Sequence, residues 1–337
     1  MDNSDVKGDR VPAGNTKEII YVDPTTQGYI EYFDHLRAFN AKVHRELGED
    51  MGKKFSEYGQ GIAFATTGSD SRLEKGPVSP VEIVLYTQDK RDYETMLAQP
   101  LDQYLKNNRN YFHLDGLDLK FIGAEMMSYF VTNRGKENEG KLLSPNRVLD
   151  STMLFGDQNM HNLAKRYLYQ EIKSSDGKAM ADKIKDKLRG HKKITLEGTQ
   201  NYRGFPLEHF NFESGIANYD PEKNLQSFKQ GPLRTTQYAL VNGVCTMIRR
   251  GDDESLISSL PSNTIDKIHA LEVEGKTGLS QQNIRELSDN YKFFLWLYHK
   301  SQHAYRTSGI TQTGFDSGEA KERAKSLTSI CSEQIVK

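Results

Sequence analysis

Residues 67–85 read Thr67-Gly68-Ser69-Asp70-Ser71-Arg72-Leu73-Glu74-Lys75-Gly76-Pro77-Val78-Ser79-Pro80-Val81-Glu82-Ile83-Val84-Leu85. The stretch opens on the end of one strand, turns at Gly68-Ser69, passes through a short helical turn and closes on a second strand bearing an acid, Glu82. The run before it, Ile62-Ala63-Phe64-Ala65-Thr66, is short and apolar and stops at a glycine, which suits a buried strand better than a helix. Phosphoryl chemistry calls for such a corner. It needs backbone that approaches phosphates closely, a hydroxyl or amides to bond them, and carboxylates that hold magnesium between phosphate and attacking group. Gly68 permits the approach, Ser69 supplies the hydroxyl, and Glu82 points a carboxylate at the same crevice.

Outward from the corner, Tyr29, Tyr32, Phe33, Leu36, Phe39, Val43, Leu47, Met51 and Phe55 recur at three- and four-residue steps and predict one long amphipathic helix. A helical stretch between Arg91 and Asn107 and a strand over Leu117–Ile122 follow. These elements predict a small mixed sheet covered by helices. After about Gly135 strand signals fade, and helical periodicity runs over Pro145–Lys173, Gly231–Arg250 and Ser280–Tyr305. Residues 192–226 mix Gly, Pro, Asn and aromatics without a period and read as a long irregular connection. The expected architecture is α+β: a loose polar tail over 1–16, an α/β unit over 17–140, and a mostly helical domain over 141–337.

The corner resembles the nucleotidyltransferase superfamily of the DNA polymerase beta type, in particular the PII-protein uridylyltransferase-like branch with its C-terminal substrate-binding domain. Gly68-Ser69, Arg72, Glu74 and Ser79 fall in that family's register without a gap. The similarity extends to Pro145-Asn146-Arg147-Val148-Leu149-Asp150-Ser151 with Phe155-Gly156-Asp157, to Lys229-Gln230-Gly231-Pro232-Leu233-Arg234, and to the helices over 264–302. The resemblance implies transfer of a nucleotidyl group from a nucleoside triphosphate, with Mg2+, to a hydroxyl on a protein or small molecule. Glu82 and Asp118 would be the catalytic, metal-holding acids. Gly68, Ser69, Arg72 and Glu74, joined by Lys229 and Arg234 from the second domain, would bind the nucleotide. Two departures stand out: Pro80 occupies the place of the first metal-binding Asp, and Glu82 that of the second. Magnesium prefers near-octahedral oxygen coordination, so losing an acid leaves open a second reading, a catalytically silent binding or regulatory protein. Glu74 or Asp70 could compensate from the turn, and Asp115 competes with Asp118 for the strand's mouth.

Each feature also has a plainer reading. Gly68-Ser69 alone is an ordinary turn, Arg72 beside Glu74 can be a surface ion pair of little worth, and Lys229 and Arg234 can simply face solvent. His299 and His303 stand at i and i+4 on a helix without any metalloprotease signature, so they read as a helix face. The cluster Phe293, Phe294, Trp296 and Tyr298 reads as packed core. The chain has 337 residues, with Lys+Arg 45 against Asp+Glu 46, so no global positive field points to a nucleic-acid partner. Two distant cysteines, Cys245 and Cys331, argue against a disulfide framework or a cysteine-ligated zinc. The polar start and the lack of a membrane-length apolar run point to a cytoplasmic protein, although signal-free secretion would leave the same pattern. Oligomeric state and base preference leave no trace.

Overall fold

The computed structural model describes residues 21–87, 96–112, 114–121, 145–174, 177–197, 199–202, 205–210, 214–221 and 225–332, the backbone alone in 109–121, 199–210 and 225. The expected tail over 1–16 and part of the helix expected from Arg91 lie outside these residues. The fold is α+β.

Its centre is a four-stranded mixed sheet of β1 (Ile62–Thr67), β2 (Val81–Thr87), β3 (Leu114–Phe121) and β4 (Thr152–Gly156), in the order β3-β2-β1-β4. β2 runs antiparallel to β1 and parallel to β3, while β4 is antiparallel to β1. Every residue of β1 is buried, as its unbroken apolar run requires of a strand covered on both faces. One face, carrying Ile62, Phe64, Val81, Ile83 and Leu85, packs on Leu47, Met51 and Phe55 and on Leu97, Leu101 and Tyr104. Those residues belong to or flank α1 (Tyr29–Lys54) and α3 (Ala98–Phe112). The opposite face presents Ala63, Ala65, Val84 and Tyr86 to a large core that includes residues of the helical half.

β4 corrects the sequence reading in two ways. It lies within the expected helix over 145–173, and it takes the sheet past residue 140. Five residues between two helices are too few to show a period of two, and Met153 and Leu154 suit a helix as well as a strand. The short α4 (Pro145–Leu149) precedes β4, and α5 (Gln158–Lys173) follows it. Asp157 caps α5 by accepting from the Asn159 amide at 2.8 Å. Gly156 has φ 106°, and a Cβ there would lie 2.2 Å from the Ile62 carbonyl oxygen, so this bend admits only glycine.

The helical half holds α6 (Gly177–Glu197), α7 (Arg234–Arg250), α8 (Ser255–Ser259), α9 (Thr264–Val273), α10 (Gln281–Ser308) and α11 (Ser317–Ile330). α7 is buried on most of its circumference and forms the axis of the bundle. α10 is the longest helix, capped by Ser280 and closed by left-handed Gly309; its expected face of Ile284, Leu287, Tyr291, Phe294, Leu295 and Tyr298 is buried. The span 192–226 is more ordered than its composition suggests: α6 continues to Glu197, followed by the hairpin β5 (Thr199–Tyr202) and β6 (Phe205–Phe210). β7 (Ile216–Asp220) is then the middle strand between β8 (Leu225–Gln226) and β9 (Gln312–Gly314). Its partner β9 comes from far along the chain, so no local pattern could reveal the pairing.

α1 ties the two halves together. Tyr32, Phe33 and Leu36 near its start enter the helical core, and Leu47 and Met51 near its end lie beneath the sheet. Among the described residues no helix is long and apolar enough to cross a membrane.

Candidate functional site

β1 ends at Thr67, and Gly68, at φ 73°, swings the chain into the four-residue α2 (Gly68–Ser71). Register sets Thr67 directly across from Glu82 of β2. The Thr67 hydroxyl donates to Glu82 Oε2 at 3.4 Å, and a Cβ on residue 68 would lie 3.4 Å from the same oxygen. Gly68, Ser69 and Glu82 are all half-buried. Arg147 of α4 reaches that carboxylate from the far side, with Nη2 3.5 Å from Oε2 and side-chain exposures of 24% and 41%.

The helical half adds two more cations. Lys229 opens a turn of π-helix, Lys229–Leu233, that leads into α7, and its ammonium lies 5.6 Å from the centre of the Tyr298 ring. Burial holds the Lys229 pKa down to about 7, helped by neighbouring Arg234 and opposed by Glu82. Arg234 is half-buried and donates to Gln237 Oε1 at 3.3 Å. Gly68 and Glu82 therefore sit together at the corner, and Lys229 lies within electrostatic range of Glu82, Arg234 and Arg72. Arg147 meets Glu82; it was assigned no role in the sequence reading, because a lone arginine in a five-residue helix gives no signal.

Arg72 also acts on the Lys229 charge, and with Glu74 it is engaged in a buried ion network. They do not form a surface pair: Arg72 Nε meets Glu74 Oε2 at 2.8 Å with both side chains buried. The same guanidinium binds Asp150 Oδ2 at 3.0 Å, and Lys267 of α9 holds Asp150 Oδ1 at 2.5 Å. Tyr291 donates to Glu74 Oε2 at 2.8 Å, and Asn263 donates to the Arg72 carbonyl. Lys165 is buried close enough to this group for the Lys267 charge to lower its pKa, after burial itself. Two carboxylates and three cations thus bolt the loop after α2 to α4, α5, α9 and α10, and Arg72 and Glu74 are both buried partners in that network. Asp70 is buried beneath the corner; desolvation raises its pKa against the opposing influence of His44, Lys75 and Thr66.

The Asp118 and Asp115 side chains lie outside the described residues. By register Asp118 stands opposite Val84, two residues along β2 from Glu82, and Asp115 falls where the pairing shifts. His299 and His303 share no ligand position: Nδ1 of each pairs with a different tyrosine hydroxyl, Tyr32 at 2.8 Å and Tyr21 at 2.9 Å. A buried Ser151–His161 contact of 2.8 Å is not a nucleophilic pair, because the Ser151 hydroxyl donates to the Val148 carbonyl at 2.8 Å. The imidazole N–H is then the donor to the serine oxygen.

Of the two acids that the family resemblance assigns to magnesium, Glu82 is described and the Asp118 side chain is not. Pro80 offers no oxygen side chain, and Asp70 is sealed beneath the turn. Glu82 already faces the Arg147 guanidinium and is coupled to the Lys229 charge, whereas a dication calls for several anionic or neutral oxygens. Among the described residues no three His, Cys, Asp or Glu side chains gather as a metal site. No protein-family model and no curated protein matches the chain.

Proposed function

We propose that this chain is a nucleotidyltransferase-like protein that binds the phosphates of a nucleoside triphosphate and holds the ligand without transferring it. The observation that supports this reading is that Glu82, beside the Gly68-Ser69 corner, meets Arg147 and lies within electrostatic range of Lys229, which is flanked in turn by Arg234. Arginine and lysine supply charge-assisted bonds to phosphate oxygens, and the Ser69 hydroxyl can add a neutral one. Pro80, standing where the resemblance expects a metal-binding acid, argues against turnover.

Calorimetric titration with ATP, UTP, GTP and CTP, each with magnesium and with a chelator, tests the reading. Binding that survives the chelator is the expected result. Failure of all four nucleotides to bind under either condition refutes it. The second reading, transfer of a nucleotidyl group to a protein or small-molecule hydroxyl, draws support from the position of Asp118, opposite Val84 and two residues along the sheet from Glu82. Magnesium-dependent binding, followed by label transfer from a radiolabelled nucleotide, would favour it.

A further inference from the structure

The Glu82 carboxylate has two long-range partners instead of one close one: Thr67 at 3.4 Å and Arg147 at 3.5 Å, with about two-fifths of its side chain open to solvent. Charge-assisted bonds at their optimum are about 2.7–2.9 Å. Glu82 is thus held by long contacts, with Arg147 against it and the Lys229 charge acting on it from farther away. Its neighbours resemble those of a phosphate in a binding site: one guanidinium nitrogen of Arg147, a hydroxyl, the close approach of a glycine turn, and a lysine acting at longer range.

We infer that Glu82 is an internal stand-in for a phosphate group, occupying part of the anion site in the empty protein and yielding Arg147 to a terminal phosphate when ligand binds. This rests on the phosphate-binding reading above and reverses the role the sequence suggests for Glu82: it competes with the nucleotide instead of holding a metal for it. The chemistry fixes the class of ligand. A terminal phosphate carries close to two negative charges at neutral pH and three acceptor oxygens, enough to displace a singly charged carboxylate from an arginine. An internal phosphodiester, with one charge, competes on even terms and gains little. Glu82 thereby selects chain ends, such as a triphosphate terminus, over nucleic-acid backbones. The near-balance of total charge in the chain agrees with this.

The experiment compares wild type, Glu82→Gln and Glu82→Ala in calorimetric titrations with ATP in the presence of chelator, with inorganic tripolyphosphate as a second arm lacking the nucleoside. Neutralising Glu82 removes a like charge from a half-exposed site, so both variants are expected to bind ATP roughly five- to tenfold more tightly than wild type. The glutamine variant preserves side-chain shape and the alanine variant removes it; agreement between them assigns the effect to charge. Thermal melts of each variant confirm a folded sample. If wild type binds ATP and both variants bind it equally or more weakly, the stand-in role is wrong while phosphate binding stands. If none of the three binds ATP or tripolyphosphate, both fall together. Tripolyphosphate tightening as much as ATP assigns the competition to the phosphate end alone; tightening for ATP without tripolyphosphate overturns it.

Discussion

Asp150 is the residue on which the joint between the two halves can be tested most sharply. Around it lie three buried cations, Arg72, Lys165 and Lys267, with Glu74 as the other acid, so the described group has one more positive charge than negative. Replacing Asp150 by Asn preserves the shape of the side chain and leaves three buried cations facing one carboxylate. Breaking a buried pair in this way costs about 3–5 kcal/mol, and the excess of positive charge puts this variant at the upper end. Lys267→Met works in the opposite direction. It loses the 2.5 Å bond to Asp150 but leaves Arg72 and Lys165 balanced by two acids, so its cost falls below that of Asp150→Asn. Arg72→Met also balances the charges but abandons two carboxylates at once, which ranks it between them. Urea unfolding followed by circular dichroism at pH 7 gives all three values. A loss under about 1 kcal/mol for Asp150→Asn is what an exposed pair would give and would refute the reasoning, as would a Lys267→Met variant less stable than Asp150→Asn.

Gly76→Ala is expected to cost about 3 kcal/mol, read as a lowered melting temperature, because its Cβ would come within 2.4 Å of the fully buried His299 ring and 2.2 Å of Gln302 Oε1. Acid should destabilise the fold: burial holds His161 at about 4 and His299 at about 3, so as pH falls below the ordinary value near 6.5 the unfolded chain takes up protons that the folded chain refuses. Each imidazole then costs roughly 2 kcal/mol by pH 5, and His299→Gln, measured by unfolding at pH 7 and pH 5, should lose less on acidification than wild type. With the Lys229 pKa near 7, ATP affinity should fall between pH 7 and pH 8.5 as the free protein loses that ammonium; calorimetry on Lys229→Met should give a flatter profile from a weaker start.

The sequence made legible what its local chemistry determines. Residues 62–66 and 81–86 read as strands because an unbroken apolar run bounded by glycine and proline has few alternatives, and α1 and α10 showed themselves through a period sustained for several turns. β4 was hidden by its length, and the β7–β9 pairing by the distance along the chain between residues 216–218 and 312–314. The site divides along the same line. Gly68, Ser69 and Glu82 lie within one short stretch whose turn chemistry and strand alternation bring them together, whereas Arg147 and Asp150 gain their meaning only from partners 65 and 78 positions away. Arg72 and Glu74 show the limit of motif spacing: it located them correctly along the chain but could not tell a phosphate clamp from a buried bolt, since that depends on Lys267 and Tyr291 arriving from the other half.

That bolt also bears on how the crevice works. Ala63, Ala65, Val84 and Tyr86 share one apolar core with α5, α7 and α10, so the face of the sheet away from α3 is fixed to the helices that carry Lys229 and Arg234. Opening a gap between them would expose that core as well as the ion network, a cost far above the few kcal/mol that ligand binding can spend on rearrangement. On the proposed reading the cations would meet a ligand already positioned, with no closure of one half over the other. What changes on binding is confined to side chains that are half-buried and loosely held, and Glu82 with Arg147 meets that description while Arg72 with Glu74 does not. If the proposed site binds phosphate, a fixed scaffold with one displaceable acid would lose little entropy on binding, which is how a site without its full set of metal-binding acids would still hold a nucleotide.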